Sequence, residues 1–143
     1  MYQMNEAEKE LVVALRSGKY QQGINCLRPT ENSFCCLGVA CDIFLPGYWS
    51  VENHNGHMAW YSKNTQGSVL PYDVVVKLKW YDEQGTTTIP VNRDDLDSMG
   101  SDFYDLATLN DSGFTFNQIA DIIEAGLVCH DDEEYALLEE KDV

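Results

Sequence analysis

The sequence predicts a single α+β domain, mainly helical, with a small antiparallel β element. With 143 residues, 44% of them hydrophobic, the chain can bury one core, whereas two domains would each be marginal. Capping patterns followed by apolar residues at helical spacing occur near both ends. Only two short stretches in the middle have the composition of strands.

The elements follow in order. Asn5 with Glu8 forms a capping box, and Leu11, Val12 and Leu15 give one apolar helical face that Gly18 closes. Residues 19–32 mix polar side chains with glycine and proline and read as a structured loop or short strand, turned at Gly23. Residues 33–45 are apolar at nearly every position until Pro46-Gly47 stops the run, a length that fits a buried helix, with Gly38 permitting a close helix crossing. Residues 57–61 read as a short strand and Pro71 as the first residue of a helix through 78. Residues 86–91 form a second strand, of edge type because it carries Pro90. Antiparallel pairing of these two strands would make the β element. Ser101 is placed to cap a helix over 102–109, ended by Asn110-Asp111-Ser112-Gly113. Thr115 and Gln118 form a second capping box, Phe114 and Ile119 its staple, and Gly126 its stop. The compact domain is expected over 1–128. Residues 129–143 are expected to form an acidic C-terminal tail or short docking helix, in which Tyr135-Ala136-Leu137-Leu138 interrupts the acids.

Charge restricts function more than any motif does. Residues 1–70 carry six acids against five bases, and residues 71–143 carry eighteen against four. The second half repels nucleic acid, anionic membranes and acidic proteins, and it steers basic partners inward at low salt. Tryptophans and tyrosines are available to stack on bases, yet the nearest basic group, Arg16, Lys19 and Arg28, is too small to hold a phosphate backbone. Mimicry of a phosphate backbone fits the sign of the charge better. No apolar run reaches membrane-span length, and the N-terminus has neither the basic start nor the apolar stretch of an export signal, so the expected location is the cytoplasm. There, five cysteines (Cys26, Cys35, Cys36, Cys41, Cys129) are expected as thiols.

No motif fixes a reaction. The cysteines with His54, His57 and His130 lack the repeated short spacing of a zinc site, and buried thiols account for most of them. Cys129-His130 is adjacent in sequence, whereas catalytic pairs are assembled by the fold. Asp94-Asp95-x-Asp97-x-Met99-Gly100 departs from a calcium loop at two ligand positions, leaving at most weak magnesium or calcium binding. A helix N-terminus would explain Asp102 and its neighbours without metal. No metal and no cofactor is assigned.

Several segments taken together, namely 14–23, Leu27-Arg28, Phe34-Cys35-Cys36-Leu37-Gly38-Val39-Ala40-Cys41-Asp42, 109–113 and 116–124, resemble a group of small uncharacterised proteins encoded by tailed bacteriophages and prophages with a Cys-Cys-Leu-Gly motif. The resemblance implies a viral accessory protein acting in the host cytoplasm, and it transfers no activity onto these residues. The expected role is therefore non-enzymatic: binding, and in that way inhibiting, a basic host or phage protein. The expected interaction surface comprises Asp94, Asp95, Asp97, Asp102, Asp105, Asp131, Asp132, Glu133, Glu134 and Tyr135. The alternative is a small enzyme or metal-binding protein using a polar site of Arg28, His57, Asn110 and Asp111, and a virion component is a third class. An exposed Tyr or Trp anchor amid carboxylates would favour binding, whereas a concave pocket gathering Arg28, Cys35 or Cys36, His57 and Asp111 would favour catalysis.

Overall fold

Helix α1 (Glu6–Arg16) begins as its sequence requires: the Asn5 side chain accepts from the Glu8 N–H at 2.8 Å, and the Glu8 carboxylate accepts from the Asn5 N–H at 3.1 Å. Leu11, Val12 and Leu15 face the core, and Gly18 turns the chain with φ 77°. The computed structural model describes residues 2–54, 57–62, 69–91 and 102–131. Next, β1 (Gln21–Gln22) pairs in parallel with β2 (Ser33–Phe34), which feeds α2 (Cys36–Phe44). The apolar run is thus a strand and then a helix. Cys35 is the break, because its extended backbone and its thiol, accepting from the Gly38 N–H at 3.3 Å, make it the N-cap. Gly38 admits the loop carbonyl of Leu27, where a helix crossing was expected.

A 3-10 turn over Pro46–Tyr48 leads into a hairpin of β3 (Trp49–His54) and β4 (His57–Ser62), in which Trp49 pairs with Ser62 and His54 with His57. Then come α3 (Tyr72–Leu78), β5 (Thr86–Pro90), β6 (Phe103–Asp105), α4 (Leu106–Asp111) and α5 (Phe116–Glu124). Residues 57–61 are a strand as expected, but they pair with β3 and not with β5. Strand β5 pairs with β6 on one side and with residues 127–129 on the other, through Thr88 N–H to Leu127 O and Cys129 N–H to Thr86 O, both 2.8 Å. It is central despite its proline, because Pro90 stands at the end of the strand, where a missing N–H costs little. Buried Thr87 anchors its middle by donating to Tyr104 O at 2.6 Å.

The helix expected from 102 begins only at Leu106. Asp105 caps it, accepting from the Thr108 N–H at 2.7 Å, while Phe103 and Tyr104 lie in β6, where aromatics suit the pleat. The carboxyl-terminal body also extends beyond 128, since Tyr81 N–H donates to Cys129 O and Asp131 N–H to Lys79 O. These features support an α+β domain in which α1 packs on α5 and α2, around Leu11, Leu37, Leu78, Trp80 and Ile119.

One buried polar residue joins three of these elements. Asn110 accepts from the Cys36 N–H at 3.1 Å and from the Gln22 amide at 2.8 Å, and it donates to Gly23 O at 2.9 Å. Asn110→Leu leaves the buried Cys36 N–H without a partner and removes the bonds to half-buried Gln22 and Gly23, and should cost about 2–3 kcal/mol, because an unsatisfied buried group costs roughly 1–3 kcal/mol. Urea denaturation measures this; a loss under roughly 0.5 kcal/mol, the scale of a neutral surface change, would show that the network is not sealed.

Candidate functional site

Helix α3 carries more apolar surface than one helical face can bury. Val74 and Leu78 point into the core, leaving Val75 half-buried and Val76 and Tyr72 exposed. Lys79 then adopts a left-handed conformation, φ 61°, which turns the chain sharply off the helix end. That turn buries Trp80 and puts Tyr81 outside. Asp82 fixes the following turn by accepting from the Gln84 and Thr86 N–H groups at 3.3 and 2.9 Å and from the Thr86 hydroxyl. Glu83 is held at its backbone, where its carbonyl accepts from the Leu70 N–H at 2.9 Å.

Between α3 and this turn lies a groove of about 630 Å³, lined by Tyr72, Val76, Trp80 and Tyr81 and by the carboxylate residues Asp82, Glu83 and Asp131. Its lining leaves large side chains open: Tyr72 is 79% accessible, Tyr81 63% and Val76 54%. These three side chains stand together on the groove, whereas Val13 and Ile24 are exposed elsewhere.

The floor of the groove is anchored from behind. Trp80 Nε1 donates to buried Glu8 at 3.0 Å, and Glu8 also accepts from the Tyr2 hydroxyl at 2.6 Å and lies 3.0 Å from His130 Nε2. Tyr2 commits its one proton to Glu8, so the 2.7 Å contact between Tyr2 and His130 Nε2 requires the proton to be on the nitrogen. Burial would raise the Glu8 pKa, but the bonds from His130, Tyr2, Trp80 and Asn5 outweigh it and hold the carboxyl below its usual range.

A second cavity, of about 190 Å³, is lined by Asn25, Cys26, Cys35, Asp105, Thr108 and Asp111. Its thiols are poor nucleophiles. Burial pushes Cys35 up to about 12 and raises Cys26, and neighbouring Asp111 adds to both shifts. Fully buried Cys36 is raised well above its ordinary value and sits 3.6 Å from Leu106 O. All five cysteines are thiols. Among the described residues, no three His, Cys, Asp or Glu side chains gather in a way that could hold a metal ion.

The residues singled out from sequence are dispersed. Asp131 lines the groove, Asp105 caps α4, and exposed Asp102 accepts from the Val91 N–H through its backbone carbonyl, away from any helix start. Asp94, Asp95, Asp97, Asp132, Glu133, Glu134 and Tyr135 lie outside the described residues, as does the side chain of His57. Asp111 accepts from the Asn25 N–H at 3.0 Å and neighbours buried Asn110. Arg28 takes a different place, with its guanidinium 4.6 Å from the Phe34 ring centre and 5.2 Å from that of Trp49, donating to Glu31 O. Sequence reading missed Tyr72, Val76, Tyr81 and Glu83. The available signal was Val74-Val75-Val76, too broad an apolar run for one buried helix face.

The model of a domain of unknown function, DUF8296, matches residues 4–127. The chain belongs to that family. The match takes in the helices, the groove turn and both capping boxes, and it ends before the segment that carries His130 and Asp131. No curated protein and no solved structure matches the chain. Among the described residues, no helix is long and apolar enough to cross a membrane.

Proposed function

We propose that the protein is a non-enzymatic binding protein that engages a basic protein through the groove between α3 and the 79–84 turn. The observation that carries this is the exposure of Tyr72, Val76 and Tyr81 beside Asp82, Glu83 and Asp131, which pairs aromatic anchors with acidic steering groups. In the setting of a tailed phage, the partner is a host or phage protein in the bacterial cytoplasm, and occupying its basic surface inhibits it. The acidic segment after Asp131 adds long-range attraction, since it follows a groove residue in the sequence and carries five further acids before Lys141 and one after it.

The test is capture from bacterial lysate with three baits: the full chain, Tyr72→Ser/Tyr81→Ser, and a truncation after Asp131, which spares the paired segment 127–131. One stoichiometric basic partner is expected, lost with the tyrosine variant and retained less well by the truncation as salt rises. A partner held equally by all three baits would place binding elsewhere and sink the groove reading.

A further inference from the structure

We infer that the groove is a receptacle for arginine side chains, so that the partner presents an arginine-bearing segment and not merely a positive or an apolar one. This inference rests on the groove being the binding site. Its lining combines two exposed phenol rings, Tyr72 and Tyr81, with three carboxylate residues, Asp82, Glu83 and Asp131, and aliphatic surface from Val75 and Val76. An apolar anchor would use the rings and valines but take water from the exposed Glu83 carboxylate and offer it no donor. An ammonium would use the acids as a compact, strongly hydrated charge. A guanidinium uses rings, charge and valines at once: its plane lies on aromatic faces, its fork donates in a pair to a carboxylate such as that of exposed Glu83, and its methylene stem covers the valines.

The chain's own Arg28 shows this chemistry on another face, placing its guanidinium over Phe34 and Trp49 while donating to a carbonyl oxygen. The charge balance points the same way. Lys79 is the one cationic residue lining the groove among those described, against three acids, so the lining is net negative and favours an incoming cation.

The experiment uses the full-length protein and four twelve-residue synthetic peptides, identical except that four positions are all arginine, all lysine, all citrulline or all leucine. Calorimetry gives affinities at low and moderate salt, and NMR follows the Tyr72 and Tyr81 ring signals. The arginine peptide should bind and move both rings, and citrulline, which keeps the shape without the charge, should weaken binding roughly tenfold or more. Tyr81→Leu, which keeps apolar bulk but removes the ring, should weaken the arginine peptide roughly three- to tenfold and the lysine peptide less. Glu83→Gln should weaken both and flatten the salt dependence; Tyr72→Leu provides a second aromatic test should Tyr81→Leu disturb the turn. Citrulline or leucine peptides that move the same rings with equal affinity would overturn the arginine assignment while leaving the groove a binding site. Equal affinity of lysine and arginine peptides, unaltered by Tyr81→Leu, would also overturn it. If no peptide moves either ring, both the assignment and the groove reading fall.

Discussion

Gly38→Ala should unfold most of the protein or cost about 3 kcal/mol or more, the upper end of what overpacking a core usually costs. Helix propensity alone predicts the opposite sign, since Gly38 lies within α2 and alanine is favoured there by about 1 kcal/mol. Space decides the matter. A Cβ at Gly38 would sit 1.7 Å from Leu27 O and 2.7 Å from Leu27 C, which are backbone atoms that no side-chain rotation can move. Relief requires the 27–28 segment to withdraw from α2. That would pull fully buried Leu27 out of the core and break the 3.0 Å bond from Cys35 N–H to Leu27 O, which sets the residue that caps the helix. Gly47→Ala serves as the control: nothing lies within 4 Å of its added Cβ, so it should stay within roughly 0.5 kcal/mol of wild type. Thermal and urea denaturation of the two variants side by side checks the contrast. A stabilised Gly38→Ala would mean that propensity wins and that the carbonyl does not rest on the helix.

Gly38 also shows which parts of the fold were legible in the sequence. That it faces a close approach follows from a glycine in an otherwise apolar helix, but the identity of the approaching group depends on a loop eleven residues upstream. The capping boxes at Asn5 and Thr115 were legible because donor and acceptor lie three residues apart. Strands of two or three residues were not: β2 and β6 have too few positions to show alternation, and pairing with distant segments defines them. The same holds for residues 129–131, read as the start of a tail and in fact paired with 79–81 and Thr86. The groove was hidden for a related reason. Tyr72 and Tyr81 lie on opposite sides of a left-handed residue, Lys79, whose conformation no local pattern announces.

Glu8 carries the same lesson into energetics, because its sequence pattern discloses only its capping role. The other half of its environment is supplied from Trp80, 72 positions away, and His130, 122 positions away. Glu8→Gln keeps the volume and one acceptor but removes the charge that three side-chain groups and the Asn5 N–H converge on. A loss of about 3–4 kcal/mol at neutral pH is expected, in line with removing one partner from a buried charged network. The pH dependence has a definite sign. The folded-state pKa of Glu8 is lowered from its ordinary value of 4.5, so the folded protein binds this proton less readily than the unfolded chain does. The stabilisation is therefore fully present above about 4.5 and is lost as pH falls through the lower folded-state value. Other carboxylates titrate in the same range, so the informative quantity is the stability difference between wild type and Glu8→Gln, followed by urea denaturation from pH 7 downward. That gap should be constant to about pH 5 and then narrow. A gap that widened on acidification would mean that burial, and not the converging donors, governs Glu8. In that case the carboxylate could not be the anion that fixes Trp80 beneath the groove.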